Sequence, residues 1–327
     1  MATVEENCSK ATEFILLGLS DVPELRIFLF LLFLLIYGVT ALANLGMVAL
    51  IQVTPGLHTP MYFFLSHLSF ADFCCSTAIV PKMLANMLNK DKDISFLGCM
   101  LQFYLLCTCM VTEDFLLEVM SYDRFLAICN PLFYMITMFQ KLCMELISVC
   151  YFCASVCALI HLCLTLKIPS YKPNGVDHFF CDLPPVFSLA CSDIFINELM
   201  AFIVSTVNEM LTIVIIFSSY SSILITILRL HSAEGRRKAF STCASHLTAI
   251  TVFHGTILFL YCRPSLGSSR EADKVATAFY TVVIPMLNPL IYSLRNKDVK
   301  EALRKVLGNI QSLFQLWFWL LQKSHAL

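Results

Sequence analysis

Charge is what this sequence lacks most. Only 14% of its 327 residues are Asp, Glu, Lys or Arg, against about 25% in a soluble globular chain. So little polar surface could not cover a chain this long in water. The 58% apolar content and the mean hydropathy of +0.76 point the same way, to a membrane protein. Glycine is scarce at 10 residues, and no GxGxxG, GKS or GKT segment occurs, which excludes a glycine-rich phosphate loop. G-x-S-x-G and HExxH are missing, as is a glycine-flanked serine with a partner histidine, so no enzyme is expected. A net charge of −1 offers no footprint for nucleic acid. The 16 cysteines are scattered, mostly within apolar stretches, where a thiol is a small buried hydrophobe. Cys150 and Cys153 form a CxxC with no second pair, so no metal or redox chemistry is expected there.

What the chain does contain is long apolar runs. A membrane-crossing helix needs about 20 mostly apolar residues, and seven segments qualify: Ile27–Gln52, Met61–Met83, Cys99–Met120, Leu142–Leu166, Phe195–Leu228, Phe240–Tyr261 and Val275–Ser293. They predict an all-α membrane protein, one seven-transmembrane helix bundle over residues 1–327. Basic residues orient it. Lys141, Arg229, Arg236, Arg237, Lys238, Arg295, Lys297, Lys300, Arg304 and Lys305 fall on one set of connections. On the other set Lys90 and Lys92 are balanced by Asp91 and Asp93, and the N-terminal stretch carries Glu5, Glu6, Glu13, Asp21 and Glu24. Residues 1–26 are therefore expected outside the cell and 294–327 in the cytoplasm. Asn7, in "NCS", is then a glycosylation acceptor on the outer side. "RNKDVKEALRKVLGNI" reads as a short amphipathic helix along the inner surface, with Leu303, Val306, Leu307 and Ile310 on one face. The apolar "LFQLWFWLL" beyond it is too short to span and is expected to anchor at the interface.

Ionisable groups inside a span are costly and so are candidates for function. Here they are Asp72, Glu113, Asp114, Glu118, Glu145, Glu198, Glu209, His161, His246 and His254. Glu145 and Glu198 lie near span ends, where snorkelling is the cheap solution, and His161 reads as a satisfied helix-end histidine. Glu113 and Arg124 lie about three helical turns apart, on one face of the third span. Asn44, Asp72, Glu113 and Asn288 can share one interior cluster, stable only if it holds water or an ion.

Four blocks, "PMYFFLSHLSFADFC", "MSYDRFLAICNPLFY", "RRKAFSTCASHLT" and "PMLNPLIYSLRN", resemble the signature segments of odorant receptors, a family of rhodopsin-like G-protein-coupled receptors. They stand in family order at the depths the topology gives them. The resemblance implies a seven-helix fold with a cytoplasmic eighth helix at the plasma membrane. It implies a small, mainly hydrophobic odorant as ligand and a stimulatory olfactory-type heterotrimeric G protein that raises cyclic AMP. Asp123 and Arg124 match the family's Asp-Arg-Tyr motif, with Phe125 in place of the tyrosine. With Ile128 and the basic Arg236, Arg237 and Lys238, Arg124 is implied to meet the G protein. Asn288, Pro289 and Tyr292 match the NPxxY segment, where Asn288 or water is expected to satisfy the carbonyl that Pro289 frees. Asn44, Asp72 and Glu113 match a polar core that in relatives can hold a sodium ion; no other cofactor is implied.

Cys99 matches the cysteine that staples the third helix to the second external loop through Cys181. Relatives carry a second pair within that loop. Cys191 matches one member, but Tyr171 occupies the other position, so Cys191 is expected to be unpaired. By position the pocket is implied to be lined by Leu106, Cys107, Met110, His254, Ile257, Leu258, Tyr261, Ala278 and Thr281. That is an apolar cleft with a few polar handles, and Leu106 stands where amine receptors place an aspartate. The alternatives are a rhodopsin-like receptor for a peptide or lipid, and a seven-span channel or transporter. The last is expected to show repeats or broken glycine-rich helices, and the sequence has neither.

Overall fold

The computed structural model describes residues 8–19, 22–89, 91–173, 175–229, 232–262 and 270–308. Five long rods come first: α1 (Pro23–Val53), α2 (Pro60–Leu88), α3 (Phe96–Cys129), α5 (Gln140–Leu166) and α7 (Phe195–Arg229). They are followed by α8 (Ala233–Cys262) and by a composite rod of α9 (Arg270–Ala278), a π-turn (Phe279–Val283) and α10 (Ile284–Arg295). Short α4 (Pro131–Thr137) and α6 (Leu183–Phe187) sit in connections, and a final helix, α11, covers 297–308. Six described stretches are long and apolar enough to cross a membrane, in α1, α2, α3, α5, α7 and Lys274–Ser293; α8 holds a shorter apolar stretch, His246–Leu258. The architecture is a seven-helix bundle with an eighth helix after it.

Local chemistry sets the helix starts. Pro23 and Pro60 open α1 and α2, where a missing N–H costs nothing and φ is already helical. Ser95 caps α3 by accepting from Gly98 N at 3.1 Å, and Asp182 caps α6 by accepting from Leu183 N at 2.8 Å. Within the rods, hydroxyls bond the carbonyl one turn back, as Thr40 does to Ile36 and Thr112 to Thr108. That satisfies them without water.

Packing is inverted relative to a soluble protein. Ile27, Leu35, Phe152 and Phe217 are 65 to 73% exposed on the outer faces, while Asn44, Asp72, Thr112 and His246 are wholly buried. Large apolar side chains thus face lipid, and polar ones face each other inside. The inner half of the core joins Leu68, Leu116, Met120, Phe253 and Tyr292; the outer half is built on Cys75, Ile79, Leu106 and Phe180.

One small sheet departs from the all-helical expectation. β1 (Glu13–Ile15) pairs antiparallel with β2 (Asp93–Ser95), in the register Glu13 to Ser95. The chain then continues beside the second external loop, with Leu17 N donating to Val176 O and Gly18 N to His178 O. Gly18 has φ +84°, which an L side chain resists. At Gly175 a Cβ would lie 2.7 Å from the Leu17 side chain and 3.2 Å from Ile15 O, so the close crossing there favours glycine.

α11 turns off α10 at Asn296. Its Oδ1 accepts from Asp298 N at 2.9 Å, and the Tyr62 hydroxyl bridges to Asn296 Oδ1 and Asp298 Oδ2 at 3.1 and 3.0 Å. Val299 and Ala302 are buried against the bundle, while Leu303 and Leu307 are exposed beside Lys300, Arg304 and Lys305. The stripe packed on the bundle is therefore Val299 and Ala302 with half-buried Val306, which shares only Val306 with the face expected from sequence. Ile310 and the apolar segment after it lie outside the described residues.

Candidate functional site

Two disulfides fasten the outer end. Cys99 at the top of α3 is bonded to Cys181, as the resemblance implied. The second bond corrects an expectation: Cys191 is not free but paired with Cys8, 183 residues away in the N-terminal segment. Tyr171, which fills the usual cysteine position, is buried, stacks edge-on against Phe14 and exchanges backbone hydrogen bonds with Ser9. The N-terminal segment is thus drawn over the loop and supplies the missing partner from outside it. Lys274, at the outer end of the seventh span, is paired with Asp177 and donates to Gly18 O at 3.2 Å, tying lid to bundle. Asp182 is buried and its pKa is raised by that burial, with the Leu183 N–H holding it back.

Beneath the lid lies a cavity of about 700 Å³ between α3, α5, α7, α8 and the seventh rod. Leu106, Cys107, Met110, Ile257 and Thr281 line it, joined by Phe103, Phe180, Phe202 and Tyr280. Three other expected residues stand elsewhere. His254 lies under the cavity, with Nδ1 3.0 Å from Glu209 Oε1 and Nε2 3.8 Å from Asp114 Oδ1. Leu258 follows Ile257 by about 100° of helix and points outward, 38% exposed. Ala278 packs against Phe33, Cys75 and Val282 on the far side of its rod. Its neighbours Thr277, Tyr280 and Thr281, spaced i, i+3 and i+4 on one helical face, take the cavity wall. The Tyr261 side chain lies outside the described residues.

The cavity is more polar than expected. Asp114 and Glu209 form part of its lower wall with Asn208 and Ser205, and His161 and Asp182 stand higher up. His161, near the end of α5, is thus also a wall residue. The signal for Asp114 and Glu209 was available, because a carboxylate in a span demands a purpose. Their meeting was not, because they come from separate helices.

Deeper still is the polar core. Asn288 Nδ2 donates to both Asp72 oxygens at 3.0 and 3.2 Å. Asn44 Nδ2 donates to Thr40 O and, at 2.9 Å, to Pro285 O. Pro285 O is the carbonyl that Pro289, lacking an N–H, leaves unbonded. Asn44 on the first span donates to it in place of the expected Asn288, whose amide is already committed to Asp72. Glu113 is buried beside this group with Oε1 unpartnered, as are Asn44 Oδ1 and Asn288 Oδ1.

At the inner end Arg124 Nη2 lies 3.2 Å from Asp123 Oδ2, and the Tyr134 hydroxyl donates to Asp123 Oδ1 at 2.8 Å. Tyr134 was not anticipated; it comes from α4, in the loop just beyond the motif. Ile128 packs with Ile223, Ile227 and Cys243 between α3, α7 and α8. Tyr220 and His246 are bonded at 2.7 Å, and Tyr292 is wholly buried with its hydroxyl unpartnered. Arg236 and Arg237 are exposed on the first turns of α8; the Lys238 side chain and Asn7 lie outside the described residues.

The chain that builds this arrangement has known relatives. A family model described as olfactory receptor matches residues 33–310. Human olfactory receptor 5L1 is 73% identical over 305 residues, covering 93% of this chain and 98% of the relative. Human olfactory receptor 5L2 is 72% identical over 305 residues with the same coverage, and mouse olfactory receptor 5AP2 52% over 304 residues, 93% and 96%. This chain belongs to the olfactory receptor family. It is an odorant receptor of the class A G-protein-coupled type and a multi-pass membrane protein. The channel or transporter reading is set aside. Within this olfactory receptor, the cavity lies at one end of the bundle and the Asp123–Arg124 pair at the other.

Proposed function

We propose that this olfactory receptor takes up a small, mainly hydrophobic odorant in the cavity between α3, α5, α7 and α8. It then signals through a stimulatory olfactory-type G protein at the plasma membrane, raising cyclic AMP. The observation that carries this reading is the cavity itself. At about 700 Å³ it has the size of a small-molecule site, walled by Phe103, Leu106, Met110, Phe202 and Ile257 with a few polar groups at its ends.

The coupling follows from what lies below. Ile128, Ile223 and Cys243 close the inner face by packing α3, α7 and α8 together. An outward move of α8 would part this contact and open a seat beside Arg124, whose guanidinium is charged at any physiological pH. The ligand biases that equilibrium by binding the open form more tightly. The N-terminus lies outside, with Asn7 glycosylated, and Arg236, Arg237 and Lys238 face the cytoplasm, as the basic residues argue.

The polar core fits a sodium ion. Its donors are all oxygen, Asp72, Glu113, Asn44 and Asn288, and three of those oxygens have no other partner, which suits a hard cation. When bound, the ion would neutralise part of the buried acid charge.

The test is an odorant panel on cells with confirmed surface receptor and a cyclic AMP readout, repeated with Leu106→Trp. Filling the wall should lower the response to active odorants at least tenfold at unchanged surface level. An unaltered dose response would place the odorant elsewhere.

A further inference from the structure

We propose that Asp114 and His254, with Glu209 behind the histidine, form a binding site for one divalent transition-metal ion, such as zinc, at the floor of the cavity. One donor atom from each lies within 4.8 Å of the others, contributed by α3, α7 and α8. All three residues are more than nine-tenths buried, with relative exposures of 3, 9 and 6%.

Two atoms point to a missing ligand. His254 Nε2 and Asp114 Oδ1 are both buried without a hydrogen-bond partner, and they face each other across 3.8 Å. That is too long for a hydrogen bond. Two donors on one tetrahedral zinc ion lie about 3.4 Å apart, from metal–ligand distances near 2.0–2.2 Å. The bare pair therefore has the spacing of atoms that share an ion.

The surrounding bonds prepare both donors. Glu209 Oε1 lies 3.0 Å from His254 Nδ1 and takes its proton as a hydrogen bond, which leaves the Nε2 lone pair free. Asp114 Oδ2 accepts from the Asn208 amide and from Thr212 Oγ1, which turns Oδ1 toward the histidine. Such outer partners fix the tautomer and aim of metal ligands. Charge agrees as well. A divalent ion would offset the charge of the two carboxylates when both are ionised. The histidine nitrogen also separates this site from the Asp72–Glu113 core, whose oxygens suit hard cations only. Asp114 and Glu209 border the cavity, which gives an ion its way in. The site goes beyond the odorant reading and does not depend on it.

The experiment uses the full-length receptor purified in nanodiscs, stripped with a chelator and titrated with cobalt(II), then with competing zinc. Wild type should take up one cobalt per chain with the visible absorption of a low-coordinate site, and zinc should bleach it. Affinity should fall at least 100-fold in His254→Tyr and Asp114→Asn and about 10- to 100-fold in Glu209→Gln. His161→Gln, on the cavity wall, should bind as wild type does. Absence of uptake by wild type, or uptake unchanged in His254→Tyr, overturns the proposal and leaves the cluster a histidine bridged between two carboxylates. Should His254→Tyr fail to fold, X-ray absorption on zinc-loaded wild type decides. One nitrogen among oxygen neighbours supports the site, and sulfur or several imidazole nitrogens refute it.

Discussion

His178 shows how one residue makes the lid sensitive to acid. It is stacked on Phe179 and edge-on to Phe180, both rings 4.5 Å away. Burial, helped by Lys274, pulls its pKa from 6.5 down to about 4, with Asp177 opposing. The folded chain holds His178 neutral, whereas the unfolded chain protonates it below 6.5. Its contribution to folding stability is therefore complete above pH 6.5 and declines as pH falls toward 4, by at most about 3 kcal/mol. The thermal midpoint of purified receptor should drop across that window, and His178→Phe should flatten the drop while keeping the stack. Asn44 acts at the same scale. Asn44→Leu strands the Pro285 carbonyl in the core and should cost about 1–3 kcal/mol, read as a lower thermal midpoint; an unchanged midpoint would mean the carbonyl has another partner.

At the level of elements, the lid and the bundle are fastened separately. Cys99–Cys181 ties the loop to α3, whereas Cys8–Cys191 ties the N-terminal segment to the same loop. β1–β2 pairing and the Leu17–Val176 and Gly18–His178 hydrogen bonds hold that segment independently of its disulfide. Losing a native disulfide typically costs about 2–5 kcal/mol, and the retained strand contacts should soften the loss for one of the two. Surface flow cytometry should find Cys99→Ser largely retained inside the cell, and Cys8→Ser delivered at an intermediate level. Equal retention of both would show that the strand contacts contribute little. α11 is a second case: Asn296 Oδ1 accepts from Asp298 N at its start, and its lock by Tyr62 joins residues 234 positions apart.

Across the whole molecule, the cavity and the inner face communicate only if α3, α7 and α8 can rearrange together. In this structure the Asp123–Arg124 pair is held from outside the bundle by Tyr134 on α4. Tyr134→Phe removes that restraint and should raise cyclic AMP in the absence of odorant by roughly two- to tenfold, since a hydrogen bond to a charged group contributes about 1.5–3 kcal/mol at most. Arg124→Ala should leave surface level intact and abolish the response. A full response from Arg124→Ala would remove the arginine from the coupling path.

The order of apolar runs, the basic inner connections and the four signature blocks are properties of consecutive residues, and they sufficed to specify a seven-helix odorant receptor with an eighth helix. Leu106, Cys107, Met110, Ile257 and Thr281 were implied by the family resemblance, and all five line the cavity. What local pattern could not decide is which atoms meet across helices. The partner of Cys191, the donor to Pro285 O, the turning of Ala278 away from the cavity and the joining of Asp114, Glu209 and His254 all depend on how rods rotate and settle against one another. Each side chain announced a need: a thiol, a freed carbonyl or a buried charge. Only the packed bundle determined what meets it, because rotation and depth are set by long-range contacts that no stretch of sequence contains.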